Sequence, residues 1–423
     1  MKENCIFVIR SSAGEVEWIM PFWFFLKERD INFLIIFETR QSFVSLQENR
    51  ELHNLWKKNF TEQSYFPYKK SLIYQLLDKA SNFTVFQNSR YRITLEKLLS
   101  YFSLEIQYMR LYRYLEGKFD ISENFFLFKD YNGLSPLSRY LEKKILNLTI
   151  IFFPHSNHIF SNSGSNKENR EKMIKKHHLL ISNESDKEIF EKNLSVDTVT
   201  NVGFTFTDDL WTKKILHKDD NRDFKEKTRN VLLISRAIHP TYLSHEDKVR
   251  YLNWIFEACS NYEEINLFIK PHPREKNENN IIEDLRSLYK KVNIFIVSES
   301  LLKICSEMDL VISFWSSGVL QAKYHEKPVI ELYDPKERKE DCVYDENGEI
   351  TTIYRKLGLV EGVSSKQDFA GLFDLGINQP NSEIWLRQND AFRNLEGVTT
   401  NSSEKIYATL QDISKLNNLD ANG

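Results

Sequence analysis

Between residues 230 and 333 the chain repeats one pattern: a short apolar run rich in branched side chains, a polar turn, an amphipathic stretch, then another apolar run. The apolar runs lie at 230–235, 266–270, 292–297, 309–314 and 328–333. They lack the polar alternation of half-exposed strands, so they suit strands buried on both faces, as parallel strands are. The stretches at 248–260, 279–290, 300–308 and 319–325 read as helices. Strand and helix alternating over short connections predict a doubly wound parallel sheet.

The first half carries a looser version of the same alternation. Residues 5–9 read as a buried strand, residues 11–15 break it, and helical spacing follows through Leu26. Residues 32–37 make the next strand, which completes a βαβ unit with a right-handed connection. A mainly helical stretch covers 45–120, and further strands are expected at 125–128, 148–153, 178–182 and 198–203. Residues 129–133 read as a turn and 161–170 as a polar loop. At 423 residues the chain exceeds one compact core. Residues 206–229 are crowded with charge and lack an apolar strand, which marks the boundary. The expectation is an α/β protein with two Rossmann-like domains facing a cleft. An N-terminal α/β domain would span 1–205, a linker 206–229 and a C-terminal α/β domain 230–380. A helical segment at 381–423 would pack back on the first domain.

Composition narrows the partners. The formal net charge is −3, so no global basic field recruits nucleic acid and an anionic ligand needs a local site. The basic run Lys172–Lys176 reads as a solvated helix face. Cys5, Cys259, Cys305 and Cys342 form no metal-ligand spacing, which fits a reducing cytoplasm. No stretch resembles a signal peptide or approaches the roughly 20 apolar residues of a membrane span. Trp18, Phe22, Trp23, Phe24 and Phe25 suit core packing of the first helix. Facing lipid is their alternative, and it leaves peripheral contact with the inner face of a cell membrane open.

Ligands of open parallel sheets sit at the carboxyl ends of strands, and four strands of the second half end in useful chemistry. Ser235-Arg236 offers a guanidinium for a phosphate, or a surface salt bridge. Lys270-Pro271-His272-Pro273-Arg274 brackets a histidine between two prolines amid positive charge, which makes a stiff phosphate-facing loop. Ser313-Phe314-Trp315-Ser316-Ser317-Gly318 leads into a helix, so Ser316 and Ser317 are either plain caps or phosphate ligands. Glu331 suits a ribose hydroxyl or a salt bridge, and Ser298 would sit beside the base.

With His272-Pro273 followed by Ser316-Ser317, each at a strand end, residues 228–335 resemble the donor domain of GT-B-type glycosyltransferases. The likeness is narrower to bacterial surface-polysaccharide enzymes with an HP and a paired-serine motif, among them sialyltransferases, Kdo transferases and CDP-glycerol glycerophosphotransferases. The resemblance implies a nucleotide-sugar donor whose phosphate is held by His272, Ser316 and Ser317; Arg236, Lys270 and Arg274 offer positive charge for the same phosphate. It also implies a glycan or lipid-linked glycan acceptor.

Inverting transfer needs a base from the other domain. Glu15, after the first strand and close to Glu17, and His155, after the strand at 148–153, are equal candidates. Asp130 is a third. No DxD follows a strand of the first half and no HExxH is present. The expectation is therefore transfer with no metal and no other cofactor, with Arg236, Lys270, His272 and a helix dipole in place of a cation. A CMP-activated sugar, sialic-acid-like or Kdo, is the favoured donor for capsule or lipopolysaccharide synthesis. The alternatives are CDP-alditol transfer, UDP-sugar transfer or 2-epimerisation, and an inactive scaffold that keeps the donor fold.

Overall fold

The structure is a computed structural model that describes residues 4–10, 13–67, 105–120, 123–131, 135–157, 159, 177–187, 196–216, 228–239, 243–272, 275, 279–335, 342–363 and 365–421. Much of the expected helical stretch, the loop at 161–170 and the basic run at 172–176 lie outside them.

The first sheet is built from β1 (Asn4–Ile9), β2 (Phe33–Phe37), β3 (Ser64–Tyr65), β4 (Phe125–Asp130), β5 (Leu148–Phe153), β6 (His177–Ile181) and β7 (Thr198–Asn201). Its order is β3-β2-β1-β4-β5-β6-β7, and its pairs are parallel. The second contains β8 (Arg229–Ile234), β9 (Ile265–Lys270), β10 (Asn293–Ile296), β11 (Leu310–Ser313) and β12 (Val329–Glu331). A small hairpin of β13 (Val343–Tyr344) and β14 (Ile350–Thr351) precedes its last strand, β15 (Glu361–Gly362). This sheet runs β10-β9-β8-β11-β12-β15, again parallel. Each order reverses once, between β1 and β4 and between β8 and β11, as in a Rossmann sheet. The molecule is a two-sheet α/β protein of GT-B-like architecture.

Helix α1 (Ala13–Glu28) explains the aromatic stretch near the start. Trp18, Phe22 and Trp23 are fully buried, with Phe24 and Phe25 nearly so. Trp18 stacks on Phe153 and donates its indole N–H to Ser182 Oγ at 3.0 Å. These side chains belong to the core, which removes α1 as a lipid-facing surface. The same apolar cluster continues through Phe206 into Leu320, Trp315 and Tyr333, so the inner faces of the two sheets share one core. Separate clusters cover the outer face of each sheet. Among the described residues no helix is long and apolar enough to cross a membrane.

Two expected boundaries move. The first part of the presumed linker is folded: a 3₁₀ turn (Thr205–Thr207) leads into α6 (Asp209–Ile215), with Phe206 and Trp211 fully buried. The charges that suggested a linker cap and flank this helix: Asp208 Oδ1 accepts from Leu210 N at 3.0 Å. The helices before α6 are α2 (Arg40–Glu48), α3 (Arg50–Asn59), α4 (105–118) and α5 (Pro136–Lys144). Those after it are α7 (His245–Ser260), α8 (Asn279–Leu288), α9 (Leu301–Ser306), α10 (Val319–Tyr324), α11 (Ile353–Lys356), α12 (Lys366–Asn378), α13 (Glu383–Arg393) and α14 (Ser402–Ala421).

In the C-terminal segment, α13 stays with the second sheet, where the Gln388 amide pairs with both backbone groups of Val329 at 3.1 and 3.0 Å. Only α14 returns to the first domain. Ser403 N there donates to Asp208 Oδ2 at 2.8 Å, and Tyr407 meets Phe25. The crossing is tight: Phe204 N bonds Gly397 O at 2.7 Å, and a side chain on Gly397 would run into the Ser182 carbonyl.

Candidate functional site

At the reversal point of the first sheet, β1 and β4 end side by side, with Val8 opposite Lys129, and Asp130 is level with Phe153 of β5. The loop after β1 turns directly into α1, which sets Glu15 in that helix's first turn. The segment after β5 delivers His155. Glu15, Asp130 and His155, which the sequence placed in three separate loops, meet here. His155 Nδ1 lies 3.1 Å from Asp130 Oδ2 and 3.6 Å from Glu15 Oε1. Glu15 is fully buried, and its Oε2 accepts from Arg10 N at 2.9 Å. The His155 side chain is 28% exposed, so it keeps access to the cleft.

With both carboxylates beside Nδ1, the Nδ1–H tautomer is favoured, which makes Nε2 the basic nitrogen. Asn157 anchors this loop by accepting from Thr205 N and Oγ1, both at 3.2 Å. Lys129 is buried beside the cluster, and burial lowers its pKa to about 8 against the pull of Asp130 and Glu38. Among the described residues, Glu15, Asp130 and His155 are the group whose ligand atoms lie within 4.8 Å of one another, so they are also the set able to hold a cation. Lys129 and Asp130, the first two residues of the turn expected at 129–133, are still in β4, and residues 132 and 133 lie outside the described residues.

The second sheet aligns the other candidates in one row: Lys270, Ile234, Ser313 and Glu331 share a level across β9, β8, β11 and β12. His272 and Arg236 follow immediately. His272 N donates to Glu275 Oε2, and Glu275 Oε1 accepts from Ser235 Oγ at 2.6 Å and from the buried Lys248 ammonium. The histidine loop is therefore tied to the end of β8. Arg274 lies outside the described residues.

In the paired-serine loop Ser316 N donates to Ser313 Oγ at 3.0 Å, and Gly318 N donates to Ser316 Oγ at 3.2 Å. Val319 N and Leu320 N bond to the carbonyls of Ser316 and Ser317. These amides are engaged within the turn, and α10 is only six residues long. An anion here would be met by serine hydroxyls, and the expected helix dipole is weak.

Three expected donor residues have partners within the protein. Arg236 donates to the Trp315 carbonyl, and its guanidinium lies 4.7 Å over that ring. Lys270 points into the seam between the domains, donating to Glu299 O at 2.7 Å, and burial lowers its pKa despite Glu17, Glu299 and Glu51 around it. Glu331 is fully buried, with Arg355 Nε at 2.7 Å and Thr352 Oγ1 at 2.8 Å, which is the salt-bridge alternative. Burial raises its pKa against those partners. Ser298 closes β10 on an exposed stretch, its N–H donating to Glu299 Oε2 at 2.9 Å.

The two halves of the site are joined by their own loops. Glu17, two residues beyond Glu15, accepts from Gln321 Nε2 at 3.0 Å, and Gln321 follows the paired serines in α10. Glu51 accepts from Ser300 N at 2.9 Å, with Lys303 at 3.8 Å. Sequence reasoning passed over Gln321, Glu275 and Trp315. Only Glu275 carried a local signal, a carboxylate three residues after His272.

Among solved structures the chain is similar to the UDP-GlcNAc 2-epimerase of Neisseria meningitidis bound to UDP-GlcNAc. The identity is 17% and the TM-score 0.58, over 97% of this chain and 100% of that one. S. aureus MnaA with UDP gives 10% identity and a TM-score of 0.58 over 98% of each chain. The UDP-GlcNAc 2-epimerase of Methanocaldococcus jannaschii gives 16% and 0.53 over 97% and 99%. At these identities the likeness is one of fold. No curated protein sequence matches the chain. The alpha-2,8-polysialyltransferase (POLYST) family model matches residues 91–328, from before β4 to the start of β12, and so takes in Asp130, His155, His272, Ser316 and Ser317. With more than half of its length under that match, the chain belongs to the alpha-2,8-polysialyltransferase family and is a glycosyltransferase.

Proposed function

We propose that the enzyme transfers sialic acid from CMP-sialic acid to a hydroxyl of a sialic-acid-ended bacterial surface glycan, free or lipid-linked, with inversion and without a metal ion. The supporting observation is the pairing of two strand-order reversal points. One gathers Glu15, Asp130 and His155; the other carries His272, Ser316 and Ser317. The Glu17–Gln321 bond links the loops that bear them.

In this reading His155 Nε2 takes the proton of the acceptor hydroxyl. The hydroxyl oxygen bonds to the anomeric carbon as the bond from that carbon to the CMP phosphate oxygen breaks. The electron pair leaves on the phosphate, where His272 and the serine hydroxyls donate hydrogen bonds to it. Asp130 and Glu15 stabilise the imidazolium that forms. The seam between the domains keeps water from competing with the acceptor.

The test is calorimetry with CMP, CDP, UDP and GDP, followed by turnover of CMP-sialic acid on a sialylated acceptor with and without a chelator. CMP binding and chelator-resistant turnover are expected. Preference for UDP would overturn the donor, in favour of the UDP-sugar alternatives. Loss of turnover on chelation would make Glu15, Asp130 and His155 a cation site instead.

A further inference from the structure

Trp315 stands in the left-handed backbone region, with φ +56°. A bulky side chain is rare there, and such a residue persists only where its surroundings hold it. It lies between the end of β11 and Ser316, so its conformation sets the direction in which the serine pair leaves the sheet. The holder is visible. The Arg236 guanidinium donates through Nη1 to the Trp315 carbonyl and covers the ring at 4.7 Å, while Tyr333 meets the same ring at 4.9 Å. On the far side of the turn, Ser313 Oγ receives Ser316 N at 3.0 Å. Ser313 ends β11 and Arg236 lies two residues beyond the end of β8, the two strands between which the order reverses.

We propose that Arg236 is a positioning residue: through the Trp315 carbonyl and ring it holds the strained turn that aims the hydroxyls of Ser316 and Ser317 at the donor phosphate. This rests on the reading of those serines as phosphate ligands. It assigns Arg236 a place one step removed from the phosphate, where a planar fork that bonds and stacks at once is needed and an ammonium would not serve.

The test is a double-mutant cycle with CMP as the probe, together with donor KM and kcat. In the wild-type background Arg236→Lys is expected to weaken CMP binding roughly tenfold, the scale of one charge-assisted hydrogen bond, and to raise donor KM more than it lowers kcat. With Ser316→Ala and Ser317→Ala already in place, the same change is expected to cost less than about twofold, because no hydroxyls remain to be aimed. An equal loss in both backgrounds would overturn the proposal and put Arg236 on the phosphate itself. A lysine that binds CMP like the wild type would overturn it as well. If the serine double variant binds CMP normally, the serine assignment fails first and the proposal falls with it.

Discussion

His155 Nδ1 lies 3.1 Å from Asp130 Oδ2, so one of the two equal base candidates is oriented by the residue the sequence ranked third. Glu15, the other candidate, stands behind the same nitrogen at 3.6 Å. His155→Ala is expected to lower kcat by about 10²–10⁴, the range for a lost general base, and to leave CMP affinity unchanged. Asp130→Asn is expected to lower kcat in the same direction by a smaller factor, because the ring stays but its charged partner is gone. Steady-state kinetics beside CMP calorimetry check both. Wild-type turnover in His155→Ala would remove the base assignment.

Glu275 ties the His272 loop to β8 and pairs with the buried Lys248. Removing one member of a buried pair leaves an uncompensated charge, so Glu275→Ala is expected to destabilise the fold by about 3–5 kcal/mol. Urea unfolding of the two proteins measures this. A shift near zero would mean that the pair opens to solvent.

The Glu17–Gln321 bond crosses the seam at 3.0 Å. A double-mutant cycle of Glu17→Ala and Gln321→Ala is expected to show a coupling of about 1.5–3 kcal/mol, as for a hydrogen bond to a charged group. Donor KM is expected to rise in each single variant. Additive effects would mean that the domains are held without this bond.

His178 is buried between Thr198 and Thr200, and burial lowers its pKa from 6.5 to about 4. The unfolded chain therefore binds a proton at higher pH than the folded one does. This group's contribution is fully present above 6.5 and is lost as pH falls from there toward about 4. Unfolding free energy followed by urea titration across that window is expected to fall less steeply in His178→Gln. Parallel curves would show that other groups set the acid limit.

Much of the frame was legible in the sequence. Short apolar runs such as 148–153 and 230–234, bounded by turn residues, suit strands buried on both faces of a parallel sheet, and polar residues that follow such strands gather at one edge of it. The first part of the expected linker is folded for a local reason. Asp208 and Asp209 look like solvated loop charges, yet one caps α6 and both begin a segment whose Trp211 is buried only because α1 is there to receive it. The partners of Glu331 and Arg236 were out of reach for a distal one: Arg355 and Trp315 come from later segments that no spacing rule connects to them.

The sequence by itself determined the long buried strands and the chemistry that stands near their ends, because burial and backbone bonding act over a few residues at a time; the two-residue strands β3, β13, β14 and β15 and the last two residues of β4 carried no such local signal. The tertiary structure alone decided which ends meet. Glu15, Asp130 and His155 share a site because β1, β4 and β5 are neighbours in the sheet, and strand order is set by how crossover helices pack, not by any local preference. It also decided which charges stay exposed and which are paired within the protein, since desolvation and pairing depend on what the rest of the chain brings alongside.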